Sequence, residues 1–175
     1  MKIILAILIV CISCSSTKEK GQPTVEHVDL ERMNGNWYEI ARYETPAQKD
    51  CAAARIHLTA KKDKVDLMHE CRDKFTGKKE DAHGVAEVTN KKTNAELKAS
   101  YVPVFQNWGM FGGSIWIIGL DNDYQYAILG HPTHKHFWII SRQEEMKPEI
   151  YDELVKLAES KGYKKKLMVR VPTWK

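Results

Sequence analysis

The chain holds four cysteines and seven histidines, the residue types best suited to react or to bind a metal, and their spacing decides between those uses. Cys51 and Cys71 stand in the body of the chain. If Lys61 to Asp63 is a turn, the runs on either side pair as a hairpin and bring the two sulfurs nearly opposite each other. A disulfide there closes a loop of about twenty residues and contributes roughly 3 kcal/mol by chain entropy. The competing use is a nucleophilic thiolate; in an oxidising compartment a lone pair of cysteines points to the bridge. His131, His134 and His136 in "GHPTHKHFW" lie on a turn leading into a strand, with no helix to hold a pair and no acidic neighbour, so no metal is expected. Glu39 falls inside an apolar run, where a carboxylate is either paired or raised in pKa. It either faces water, bonds a tyrosine or recognises a ligand. No nucleophile elbow, phosphate-binding glycine loop or pair of carboxylates on one element occurs, so neither an enzyme nor a cofactor is expected.

The elements that must position these residues read as mostly strand. From Asn34 to Arg142, short runs rich in Val, Ile, Tyr and Trp alternate with turn residues every ten to fifteen positions or so, which is an all-β pattern. Strands are predicted near Trp37–Tyr43, Ala53–Thr59, Lys64–Cys71, Gly84–Thr89, Ala95–Val102, Ser114–Leu120, Tyr124–Leu129 and Phe137–Ser141. Eight antiparallel strands with hairpin-sized connections close most simply as an up-and-down barrel. The period then changes in "KPEIYDELVKLAESKGY". Pro148 stands near a helix start, Ile150, Leu154, Leu157 and Ala158 recur at helical spacing, and Gly162 is a stop. One amphipathic helix would lay that stripe on the outside of the barrel, and "KKLMVRVPTW" adds a short closing strand.

The first residues, "MKIILAILIVCISCSS", give a lysine, an apolar run from Ile3 to Ile12 too short to span a bilayer, and small residues. Residues 1–13 are expected to be a signal peptide, 14–23 a flexible polar tether and 24–175 a single domain. Ser13-Cys14-Ser15 resembles the lipobox of bacterial lipoproteins. By that resemblance Cys14 becomes an acylated first residue, with Cys11 the other possible acceptor, and Ser15 after it implies sorting to the outer membrane. The formal net charge of +4 is small and dispersed, which argues against a nucleic-acid partner.

The body resembles the lipocalins. Gly35-Asn36-Trp37 is similar to the G-x-W motif that opens their first strand, Asp121-Asn122-Asp123-Tyr124 to their turn between the sixth and seventh strands, and Arg142 in "FWIISR" to their third motif. The stretches "GNWYEIARY", "LKASYVPVF" and "IIGLDNDYQYAILGHP" resemble the bacterial members related to apolipoprotein D. The run Ala53 to Leu58 departs from their pattern. The resemblance implies a ligand-holding barrel in which Trp37 plugs the narrow end, Gly35 precedes it and Arg142 lies across its ring as a cation–π clamp.

Strand alternation and the family pattern together give an expected lining. From Trp37, the residues Glu39, Ala41 and Tyr43 would face inward, and from Arg142 so would Ile140, Trp138 and His136. Ile56, Leu58, Leu67, His69, Ala86, Ala99, Tyr101, Ile115, Ile117, Ala127 and Leu129 would join them, with Trp116 outside beneath the helix. The ligand-binding residues expected are Tyr43, Ile56, Leu58, Leu67, His69, Ala86, Tyr101, Ile115, Ile117 and Trp138, with His69, Tyr101 and Tyr43 as polar handles. An apolar lining calls for an apolar ligand, and the resemblance implies fatty acids or lysophospholipids bound at the periplasmic face of the outer membrane. The stretch Val102 to Gly113, with Phe105, Trp108, Met110 and Phe111, is either a hydrophobic lip touching ligand, membrane or a second copy in a homodimer, or a strand extension on the barrel wall.

Overall fold

The structure, a computed structural model, describes residues 23–101 and 112–174. Antiparallel strands follow one another round a closed barrel: β1 (Gly35–Tyr43), β2 (Cys51–Lys61), β3 (Lys64–Asp73), β4 (Lys79–Val88), β5 (Glu96–Tyr101), β6 (Gly113–Leu120), β7 (Tyr126–Gly130) and β8 (Phe137–Ser141). Each pairs with its neighbour in the chain, and β1 closes the ring by pairing with both β8 and β2. Helix α1 (Pro148–Ser160) and a short strand β9 (Met168–Arg170) complete the fold. The turn between β2 and β3 is Lys62-Asp63, with Lys61 opposite Lys64.

The sequence pattern of each strand follows from how many of its faces are covered. β3 alternates strictly, with Val65, Leu67, His69 and Cys71 turned into the barrel and their neighbours partly in solvent. On β6 and β8 the runs "SIWIIGL" and "FWIIS" are apolar without a break because both faces are buried. Ile117, Trp138 and Ile140 join the cluster inside the barrel, while Ile118, Phe137 and Ile139 join a second cluster beneath α1. The helix meets that wall through Ile150, Tyr151, Leu154, Val155 and Ala158, which keeps Ile150, Leu154 and Ala158 of the expected stripe and adds Tyr151 and Val155. Leu157 sits at its edge, 39% exposed. Tyr163, just past the helix, packs so closely over β7 that a Cβ at Gly130 would fall 2.1 Å from its hydroxyl.

β4 begins at Lys79, earlier than the expected Gly84, because it pairs with β3 from Arg72↔Lys79 onward. Its first residues, "KEDAH", lack an apolar face, so only the partner strand reveals them as strand. β1 departs from regularity in its upper half. It pairs with β2 only from Gly35 to Tyr38, and a bulge against β8 falls between Glu39 and Ala41. Above that point β9 takes the edge that β2 leaves, with Ala41 opposite Arg170 and Tyr43 opposite Met168. The chain then crosses the outer wall of the barrel, where the buried Trp174 lies under Arg55 and Arg72, 4.9 and 5.5 Å from its ring.

Candidate ligand cavity

The direction of the strands gives the barrel a closed end and an open one. β1 starts at the closed end, which the segment before it covers: Val28, Leu30 and Met33 are buried under the barrel. Trp37 is fully buried, and its indole Nε1 donates to Met33 O at 2.8 Å. The Arg142 guanidinium lies 3.9 Å over the ring and donates to the carbonyls of Asn36 (3.0 Å) and Arg32 (2.8 Å). Gly35 has φ +99°, and a Cβ there would meet Arg142 Nη1 at 3.3 Å, so both conformation and space favour glycine. The turn at Asp121 is held by its own carboxylate, which accepts from the amides of Gln125 (2.7 Å) and Tyr126 (2.6 Å). Tyr124, in the left-handed region at φ +58°, stacks under Arg32 at 4.0 Å.

Above this floor lies a wholly apolar chamber of about 60 Å³. Ile56, Leu58, Leu67, Ala86, Ile115 and Ile117 line it, as do Leu129 and Ile140. Leu30, Met33, Val65 and Leu97 also line it and were not among the residues read from the sequence. Val65 and Leu97 share the parity of Leu67 and Ala99 and were available to the same count. Leu30 and Met33 lie outside the strands, where alternation says nothing.

A buried polar tier closes the chamber from above, and the bulge in β1 creates it. Beyond Glu39 the strand changes parity, so Ala41 and Tyr43 face out, contrary to the lining expected for them. Tyr43 packs against Phe137 and Tyr163 beneath the helix, and its hydroxyl donates to Lys164 O at 3.2 Å. It cannot serve as a handle inside the barrel. Arg42 turns inward in its place. The Glu39 carboxylate accepts from Arg42 Nη1 (3.0 Å), His69 Nε2 (3.0 Å) and Gln48 Nε2 (2.8 Å). Gln48, in the turn between β1 and β2, accepts in turn from Trp138 Nε1 at 3.2 Å. Arg42 Nη2 donates to Cys51 O. Burial alone would raise the Glu39 pKa, but the hydrogen bond and charge of His69, the charge of Arg42 and the bond from Gln48 prevail and hold it below the ordinary carboxylate range. Tyr101, at the end of β5, has its phenol raised by burial and then by the Glu39 charge. Glu39 is therefore paired, and His69 belongs to its support rather than standing as a separate handle.

The tier adjoins the chamber, since Glu39 stands opposite Ile140 and His69 opposite Ile56. On its other side a second cavity of about 100 Å³ opens at the mouth, lined by Thr45, Pro46, Ala47, Gly112 to Ile115, His131, His136 and Trp138. Cys51 and Cys71 form a disulfide with Cα atoms 5.6 Å apart, buried on the barrel wall beside Ala54. Both thiols of the described residues are thereby consumed. Among the described residues no three histidine, cysteine or acidic side chains gather as a metal site. Cys14, Cys11 and the aromatic stretch from Val102 to Phe111 lie outside the described residues.

A closed antiparallel barrel, plugged by a stacked tryptophan and arginine and flanked by one helix, defines a calyx-type binding protein. The lipocalin-like domain family matches residues 28–173, and the chain belongs to that family. Temperature-induced lipocalin-1 of Arabidopsis thaliana is 33% identical over 151 residues, covering 84% of this chain and 80% of that protein. Outer membrane lipoprotein Blc of Escherichia coli K12 is 27% identical over 154 residues, covering 87% and 84%. Insecticyanin from the tobacco hornworm Manduca sexta has the same fold, with a TM-score of 0.65 and 16% identity over 85% of this chain and 82% of that one.

Proposed function

We propose that the barrel binds a single-chain amphiphile, a fatty acid or a lysophospholipid, with its acyl tail in the lower chamber and its polar end at the tier and mouth. The observation that carries this reading is the succession along one barrel of a purely apolar chamber, a ring of buried polar groups bonded to one another and an open mouth. Each buried methylene of the tail contributes about 0.8 kcal/mol, while Arg42, whose Nε has no partner among the described residues, offers a donor to a carboxylate or ester. Ile56, Leu58, Leu67, Ala86, Ile115 and Ile117 contact the tail; Tyr101 and Trp138 stand nearer the head. The step is desolvation and packing, with no bond made or broken, and the bonded cysteines supply no thiol for a lipid-modifying reaction.

Residues 1–13 act as a signal peptide, Cys14 carries the acyl anchor and residues 14–23 form the tether, which places the protein on the outer membrane facing the periplasm. The lipobox-like Ser13-Cys14-Ser15 and the likeness to the outer membrane lipoprotein Blc support this location.

The size of the chamber favours a second reading, a structural envelope protein whose barrel is filled by its own side chains. At about 60 Å³ the chamber is well below the ~150 Å³ of an apolar cavity that admits benzene, so side chains that line it must move for an acyl chain to enter. Native mass spectrometry followed by denaturing lipid extraction, on protein lacking Met1 to Cys14 and purified from a bacterial periplasm, separates the two. A retained or added fatty acid or lysophospholipid in stoichiometric amount is the expected result. An empty protein that takes up neither sustains the filled barrel.

A further inference from the structure

The open end carries a feature that the cavity does not use. β3 and β4 meet there in a turn fixed by Asp73, whose Oδ1 accepts from Phe75 N (3.0 Å), Thr76 N (2.7 Å) and Thr76 Oγ1 (2.8 Å). Gly77 N donates to Asp73 O at 2.9 Å, and Asp73 N to Lys78 O at 2.9 Å. This ordered turn holds Phe75 77% exposed, the most exposed of the large apolar side chains among the described residues. An aromatic ring presented to solvent by a rigid turn points to a contact surface. Lys74 Nζ stands 4.8 Å from the ring centroid, and Lys78 and Lys79 follow it.

The charges at the two ends of the barrel are arranged differently. At the closed end Lys61 pairs with Asp66, Lys64 with Glu87 and Lys91 with Asp63, while Lys62 and Lys92 have no carboxylate within ion-pair reach among the described residues. At the mouth Lys74 reaches Asp50 at 3.4 Å, whereas Lys78, Lys135, Lys165 and Lys166 have no carboxylate within ion-pair reach among the described residues. The latter two precede Leu167, itself 47% exposed, and they lie at the mouth because Met168 pairs with Tyr43 at the top of β1. The acidic groups facing this end are Glu44, Asp50, Asp73, Glu80, Asp81 and Glu159, with Asp73 engaged by its own turn and Glu159 on the same surface as Lys164 to Lys166.

We propose that the open rim docks on an anionic lipid membrane, with Phe75 seated among the headgroups and the unpaired rim lysines against the lipid charge. A lone aromatic beside exposed lysines suits a fluid, negatively charged interface, where apolar insertion and electrostatic attraction act together. A protein partner would be met by a contiguous apolar patch. Docking in this orientation brings the cavity entrance to the bilayer.

The test uses the unacylated chain from Ser15, which keeps every strand and helix described above, in co-sedimentation with phosphatidylglycerol–phosphatidylcholine vesicles and with phosphatidylcholine alone. The parent is expected to bind the anionic vesicles and to be released at about 1 M salt, where screening acts within about 3 Å. Phe75→Ser should weaken binding about tenfold, and Lys78→Glu with Lys135→Glu by at least as much, both with unchanged thermal melting. Lys91→Glu with Lys92→Glu at the closed end should bind like the parent. Uptake of a fluorescent fatty acid in vesicle-free solution should be the same for Phe75→Ser and parent, so failure of the cavity reading and failure of docking are told apart. No binding by the parent, parent-like binding by Phe75→Ser, or equal loss on changing Lys91 and Lys92 overturns the proposal, the last by showing attraction through overall charge.

Discussion

The floor of the barrel and the polar tier above it are both buried, yet they are stabilised in opposite ways. The floor is apolar packing with one cation laid on its outer side: Arg142 reaches water while its plane covers Trp37. The tier is a set of polar groups whose burial is tolerable because they bond to one another, with Glu39 receiving bonds from three side chains. A packed floor fails by loss of volume. A polar tier fails by loss of a single partner at constant volume, since the remaining groups are left buried without compensation.

The largest effect should come from emptying the floor. Trp37→Ala is expected to lower unfolding free energy by about 3–5 kcal/mol in urea titration; a parent-like midpoint would break the contrast at its root. Next comes Glu39→Gln, which barely changes volume yet removes the charge that balances buried Arg42. It should cost about 3 kcal/mol at neutral pH. The sign with pH follows from the lowered Glu39 pKa. Its contribution is complete above the unfolded value near 4.5 and is lost as pH falls through the lower folded value, so the deficit of the variant should shrink in acid. A deficit that stays constant from pH 7 down to about 2 would mean that shape, not charge, holds the tier.

These regions were unequally legible in the sequence. The floor is written in residues whose identity is itself the signal: a glycine at positive φ, a tryptophan two places on and an arginine at the end of the last barrel strand. The tier is written in a bulge. Alternation reads correctly from Trp37 to Glu39 and then inverts, and the only local trace is the adjacent apolar pair Ile40-Ala41, both buried outside. With the parity went Tyr43 and Arg42, exchanged between outside and inside. Gln48 sits in a short turn where no period applies, and Leu30 and Met33 close the floor from a segment with none either. The strand order and helix were legible because hydrophobic period and turn residues agree along most of the chain. β4 was cut short where its outer half is polar on both faces.

A smaller effect sharpens the floor itself. Arg142→Met keeps an aliphatic stem over Trp37 but removes the charge and the bonds to Asn36 and Arg32, and it should cost about 1–2 kcal/mol. In a double-mutant cycle with Trp37→Phe, coupling of about 0.5–1 kcal/mol is expected. Additive losses would make Arg142 a carbonyl clamp that happens to lie on a ring.

The smallest effect separates the tier from the mouth. His131 is held below the ordinary histidine range by burial first and then by the charges of His136 and Lys135, and His136 by burial and then Lys135. Both are only partly buried, so their share of stability is modest. The native state binds fewer protons at these sites than the unfolded chain, so this share is complete above the unfolded value of 6.5 and is lost as pH falls through the lower folded values. Replacing both by glutamine should therefore flatten the stability profile just below pH 6.5 while leaving the acid limb of Glu39 in place. Urea midpoints measured across pH 3–8 in roughly half-unit steps resolve two windows if mouth and tier titrate independently. A single merged window, shifted as a whole by the histidine changes, would show that the mouth histidines and Glu39 titrate as one coupled set and that the tier extends to the rim.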